Sequence, residues 1–255
     1  MSLYDRYRQL IDDEIPFALL TVIAGPEGVG RKLLVQLDGS VEGGIQPPEL
    51  QAAVRPDAVE LLRQEQSEVR NYTLPGGVFS VFIESYPAPH QIVIVGAAHA
   101  AGPLARFARA LGYRVIVTDA RAAFAVPERF PDADQVIKGW PQDVLPGIRF
   151  DASTYLVLLS HDPKFDEPTL QHVLPTSIAY IGAIGSRKTQ RERFQRLREQ
   201  GFSEEQLAKI YGPVGLDLGG RSTEETALAI LAEITAVRYG KQGGFMRKKL
   251  EGMRS

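Results

Sequence analysis

Apolar positions along this chain follow two rhythms, short strand-like runs and longer helical stripes, and the two meet most clearly at residues 91–121. Gln91–Val95 is a short, largely apolar run, long enough for a buried strand and too short for a helix. Gly96 breaks it. From His99 to Leu111 the apolar residues Leu104, Ala105, Phe107, Ala108 and Leu111 fall at helical spacing. Gly112 supplies a stop, and Arg114–Thr118 is a β-branched run closing on Asp119. Strand, tight turn, helix and strand make the opening βαβ unit of a dinucleotide-binding fold. Asp119 stands 23 residues after Gly96, close to where an acid would meet a ribose hydroxyl.

The same rhythm continues on both sides. Upstream, residues 4–12 predict a short amphipathic helix, and Phe17–Ala24 and Lys32–Leu37 are β-rich runs joined by Gly25-Pro26-Glu27-Gly28. Asp38-Gly39-Ser40 signals a hairpin into Val41, and Gly43–Pro48 predicts irregular chain. A helix is expected after Pro56, over Asp57–Glu68, then strands near Val69–Leu74 and Gly77–Glu84. Downstream, Tyr155–Leu159 and Ala179–Ile181 read as strands, and 166–173, 186–200, 203–211 and 223–238 as helices. Ser203 with Gln206, and Ser222 with Glu225, have capping-box spacing. The fold class is therefore α/β: a C-terminal Rossmann-like, doubly wound parallel sheet preceded by a small α+β domain. The expected boundaries are 1–86 for the N-terminal domain, 87–90 for a proline-stiffened linker, 91–240 for the Rossmann-like domain and 241–255 for a basic, flexible tail.

Composition narrows the class without naming a function. A length of 255 residues suits two domains, and a formal net charge of −2 offers no global attraction to nucleic acid or an acidic membrane. With no cysteine there can be no disulfide, thiolate metal site or thiol nucleophile. The first residues carry charge throughout, unlike a signal peptide, and no window reaches the length of a membrane span. A cytoplasmic protein with no nucleic-acid or membrane partner is expected.

Ligands of open α/β sheets bind at the carboxyl ends of the strands, and four loops fall there. The first holds Gly96, Ala98 and His99. A G-x-G-x-x-G fingerprint would need glycine at 96, 98 and 101, and Ala98 puts a methyl where phosphates would sit. The second holds Asp119 and Arg121. The third holds His161 and Asp162, candidates for proton exchange or for simple strand-end hydrogen bonding. The fourth runs Gly182, Gly185, Ser186, Arg187, Lys188, where glycines precede a helix start and two cations follow, a pattern suited to anions. His90 and His172 are expected to be solvated, and the four histidines show no zinc spacing. Asp217, in a second glycine loop, reads first as a turn residue.

The chain resembles the accessory-protein family of xanthine dehydrogenase and carbon monoxide dehydrogenase (XdhC/CoxI). The resemblance rests on IVIVGAAHAAGPLARFARALGYRVIVTDAR, ERFPDADQVIKG, LLSHDPKFDEPTL, AYIGAIGSRKTQRERFQRL and GPVGLDLGGRSTEETALAILAEITAVRYG, in that order. It implies a protein that binds molybdenum cofactor, shields it, and delivers it to a molybdenum hydroxylase apo-enzyme, without turnover of its own. The family's first turn reads glycine-alanine-glycine-histidine, so Gly96, Ala97 and His99 match and Ala98 departs. Upstream, the Gly43-Gly44 segment follows the family outline. The family's next cysteine is absent, so by this resemblance either the cofactor is held through its pterin and phosphate alone or this member has drifted to another task. Two other readings stay open, an NAD(P)-dependent oxidoreductase and a nucleotide-sensing regulator. A homodimer is a fair expectation for such proteins.

Overall fold

The computed structural model describes residues 2–160 and 162–247, and the chain divides between Pro89 and His90 into two compact units. The first opens with α1 (Leu3–Asp12), whose capping box joins Ser2 to Asp5. Strands β1 (Phe17–Ala24), β2 (Lys32–Gln36) and β3 (Val41–Gly43) follow, then helix α2 (Pro48–Gln64) and the hairpin β4 (Glu68–Leu74) and β5 (Gly77–Tyr86). They form an antiparallel sheet in the order β3-β2-β1-β5-β4. Ala18, Leu20 and Val22 point to one face and pack on Leu50, Val54, Ala58 and Leu61 of α2. Phe17 and Leu34 point to the other face and meet Leu10 of α1. That alternation is the period-2 pleat of a strand buried on both sides.

The second unit carries β6 (Gln91–Val95), α3 (Ala101–Ala110), β7 (Arg114–Asp119), β8 (Gln135–Lys138), the single turn α4 (Pro141–Val144), β9 (Thr154–Leu158) and α5 (Pro163–Val173). It continues with β10 (Tyr180–Ala183), α6 (Arg187–Glu199), the turn α7 (Glu204–Leu207), β11 (Ile210–Tyr211) and α8 (Thr223–Arg238). All six strands are parallel, in the order β11-β10-β9-β6-β7-β8. β6 and β7 send Ile92, Ile94, Val115 and Val117 towards α3 and α8, and Val93, Val95 and Ile116 towards α5 and α6. This is a doubly wound α/β sheet. Its strand order reverses between β6 and β9, where such sheets leave a crevice at their carboxyl edge.

Several elements differ from expectation. α2 starts at Pro48 rather than after Pro56, and Pro56 sits inside it. Pro47 and Pro48 preset the first turn. Pro56 and Ala52 are both exposed, so water can replace the backbone bond that proline removes. The helix expected over 203–211 is one capped turn, after which Ile210 and Tyr211 add an edge strand beside β10. β8 carried no strand prediction; its four residues are at most half-buried and show no alternation. α3 begins at Ala101, so His99 belongs to the turn before it rather than to the helix. Neither His90 nor His172 is free in solvent: both are half-buried. His90 sits beside the rings of Tyr113 and Tyr155, and His172 lies edge-on to Phe150. In the tail, Lys241–Phe245 lines a groove with Leu111, Leu216 and Leu228. No helix among the described residues is long and apolar enough to cross a membrane.

Candidate functional site

The crevice begins where β6 ends. Gly96 has φ +102°, and a side chain there would bring its Cβ 3.0 Å from the Ser160 amide nitrogen and 3.1 Å from the Leu159 carbonyl carbon. Only glycine lets the turns after β6 and β9 pass this closely. The Gly96 amide donates to the Thr118 carbonyl at 2.8 Å, extending the ladder one residue past the strand. Ala97 is buried, Ala98 half-buried and His99 exposed at the lip of the turn.

Asp119, at the end of β7, is buried, and its carboxylate is fully engaged. One oxygen accepts from the Ala97 amide at 2.8 Å and from Arg121 Nη2 at 2.7 Å. The other accepts from the Arg121 amide and from Arg121 Nε, both at 2.9 Å. Burial alone would raise its pKa, but the Arg121 guanidinium and the two backbone N–H groups outweigh this and hold it below the usual carboxylate range. The guanidinium stands 4.1 Å over the Phe124 ring, with its side chain half exposed. The acid that reads a ribose in dinucleotide folds is here a brace between two loops.

The β10–α6 loop is held from beneath. Gly182, expected in the loop, lies inside β10 and is buried, and its missing side chain makes room for the Tyr180 ring and Val214 rather than for a ligand. Ile184 donates to the Leu158 carbonyl at 3.0 Å, tying the loop to β9. Ser186 is the N-cap of α6, its hydroxyl accepting from Thr189 N at 3.2 Å. Arg187 and Lys188 are exposed; Lys188 Nζ lies 3.8 Å from Glu192. Under the loop, Gln190 Nε2 donates to the Ala183 carbonyl at 2.9 Å and to that of Ile184 at 3.3 Å. Arg193 donates to Gln190 Oε1 and pairs with Asp166 Oδ2 at 2.6 Å, all three residues being buried.

Sequence reasoning misses Gln190, Arg193 and Asp166. Asp166 falls on the buried face of α5, beside Phe165, Thr169 and Leu170. An acid at such a position, opposite an arginine-rich helix, is the available signal. Asp162 is the N-cap of α5, accepting from Lys164 N at 3.0 Å, while its own amide donates to Ser160 Oγ at 3.0 Å. His161 lies outside the described residues.

The carboxyl edge of the sheet thus gathers Gly96, Ala98, His99, Asp119, Arg121, Asp162 and the segment from Gly182 to Lys188. The turn after β6 and the N-terminus of α6 are separated by two strand spacings, about 10 Å. Asp217 lies elsewhere, lining the groove with Leu111 at the far end of α3. Gly43 and Gly44 belong to the first unit and serve its edge pairing, where Gly44 donates to the Lys32 carbonyl at 3.2 Å. Among the described residues no group of histidine, cysteine, aspartate or glutamate side chains could hold a metal ion. The edge offers free helix-end amides, two exposed cations and a charge-paired clamp, which suits an anionic organic ligand.

Comparison with known proteins identifies the family of the chain. The XdhC Rossmann domain pattern matches residues 92–234, and that of the XdhC and CoxI family matches residues 10–73. Uncharacterized protein YqeB of Escherichia coli (strain K12) is 27% identical over 266 residues, covering 97% of this chain and 48% of that protein. A protein of Bacillus subtilis (strain 168), named as a probable xanthine dehydrogenase subunit, is 31% identical over 159 residues, covering 62% of this chain and 46% of the relative. Molybdenum cofactor insertion chaperone PaoD of Escherichia coli (strain K12) is 38% identical over 94 residues, covering 37% of this chain and 30% of the relative. The chain thus spans about half or less of the length of these curated relatives. The crystal structure of a xanthine dehydrogenase from Bacillus halodurans shares the fold, with a TM-score of 0.54 at 20% identity, covering 96% of this chain and 98% of that one. Matched across its Rossmann unit and over most of the first, the chain belongs to the XdhC and CoxI family.

Proposed function

We propose that this protein is an accessory factor that holds molybdenum cofactor in the strand-end crevice and passes it to a molybdenum hydroxylase of the xanthine dehydrogenase type. The observation that carries this reading is the braced β10–α6 loop at the carboxyl edge. There the first amides of α6 and the exposed Arg187 and Lys188 face solvent together. A phosphate fits such a place, because the helix end supplies free N–H groups and a partial positive charge, and arginine can fork onto phosphate oxygens. The name of the relative PaoD supports the choice of cargo.

The donor set fits the organic part of that cargo and not its metal. With no cysteine in the chain and no metal-holding cluster among the described residues, the protein would grip the pterin and phosphate and leave the metal to the cofactor's own ligands. His99 and Ala98 would border the ligand. Asp162 and Asp119 would serve as loop anchors rather than as proton carriers, since each is occupied by backbone N–H groups. The dehydrogenase reading is disfavoured by the same clamp, which leaves no free carboxylate oxygen on Asp119 for a ribose.

The test is to purify the full chain from a host that makes molybdenum cofactor, oxidise it, and assay fluorescent pterin and molybdenum. The proposal expects pterin in near-stoichiometric amount. A folded protein carrying none would contradict it.

A further inference from the structure

We infer that Trp140 is the stacking platform of the crevice, receiving the flat, fused nitrogen heterocycle of a phosphorylated ligand on its open face. The inference rests on the reading that the crevice holds a phosphorylated pterin, and it names the part of the protein that recognises the ring.

Trp140 is the chain's single tryptophan, and 42% of it is exposed. One face is covered. The Phe165 ring stacks against it at 4.9 Å between centroids and 26° between planes, and Phe165 is itself buried. The face left for a ligand is the indole's other one. An exposed apolar residue alone would mean little. Its support is what distinguishes it.

Trp140 follows β8 closely and is the N-cap of α4, where Pro141 is buried and fixes the backbone. Just before it, the Gly139 amide donates to the Asp119 carbonyl at 3.2 Å, fastening this corner to the end of β7. Phe165 comes from the first turn of α5, after the loop that ends β9. β6 and β7 lie between β9 and β8 in the sheet. The two rings therefore meet although their backbones leave the sheet at β8 and β9, on either side of the β6/β9 switch point. A planar side chain already stacked on a buried ring loses little entropy when a second ring stacks on it. Such stacking changes affinity by about five- to a hundredfold for a nucleobase on an aromatic side chain. Recognition by stacking also suits a corner where Asp119, committed to Arg121, has no free oxygen for a ribose.

Because Trp140 is the sole tryptophan, its fluorescence reports the platform directly in the unmodified full chain. The protein would be titrated with a pterin phosphomonoester and, separately, with GMP, correcting for absorption with free N-acetyltryptophanamide. Calorimetry would give affinities for the wild type, Trp140→Ala and Trp140→Phe. The expected result is saturable quenching by the pterin, a loss of about tenfold or more in affinity for Trp140→Ala, and near-wild-type affinity for Trp140→Phe. Quenching by GMP alone would keep the platform, assign it to a nucleobase and overturn the pterin reading. Calorimetric binding without quenching, or a Trp140→Phe variant as weak as Trp140→Ala while melting like the wild type, would overturn the platform and leave the pterin reading standing. Neither heat nor quenching with either ligand would overturn both.

Discussion

Asp119 shows how a single residue can be legible in type and illegible in use. Its place 23 residues after Gly96 marks it as the acid of a dinucleotide fold. Sequence spacing cannot show that Arg121, two residues on, folds back over Phe124 and takes both oxygens. Two outcomes follow from the clamp. Asp119→Asn removes a buried, charge-assisted set of hydrogen bonds and should cost about 2–3 kcal/mol at neutral pH. Because the folded-state pKa of Asp119 is lowered, its contribution is complete above the unfolded value, near 4, and is lost as pH falls through the folded value. Melting curves of the two proteins should therefore separate at pH 7 and converge in acid; a constant gap would contradict the clamp. The second outcome concerns ligand choice. NADH fluorescence should not change saturably with wild-type protein, meaning a Kd above about 1 mM. Combining Ala98→Gly with Arg121→Ser, which opens the turn and frees Asp119, should create measurable binding.

At the scale of elements, strong periodicity is legible in the sequence and weak signals are not. β6, β7 and β9 are buried and regular, α8 buries one face, and the capping boxes at Ser203 and Ser222 both form. The departures share a cause: tertiary context overrides local grammar. Pro56 reads as the start of a helix that Pro48 has already begun. Ile210 and Tyr211 look like a helix end until the edge of β10 offers them a partner. The buried trio of Gln190, Arg193 and Asp166 is hidden because arginine and glutamine on a basic helix usually face water. Arg193→Met should destabilise this unit by about 3–5 kcal/mol, since it takes the guanidinium from a buried carboxylate. Pairing it with Asp166→Leu should recover part of the loss in chemical denaturation. A double variant worse than Arg193→Met would show that the pair is not the unit of stability.

Over the whole chain, the doubly wound architecture is legible because alternating strands and helices permit few alternatives. The fold class can be read, and so can the carboxyl edge, where open α/β sheets in general bind their ligands. The proposed cargo rests on the family rather than on the residues, because helix-end amides and exposed cations accept many anions alike. The decisive measurement is the affinity of the full chain for a pterin phosphomonoester, in the wild type and after Arg187→Glu with Lys188→Glu. Both positions are exposed at the start of α6, so the substitutions should leave the melting temperature nearly unchanged. If the crevice holds the ligand's phosphate at that helix end, affinity should fall about tenfold or more, and the remaining binding should be less sensitive to salt. Equal affinity in the two proteins would contradict phosphate binding at that helix end, the observation on which the account rests.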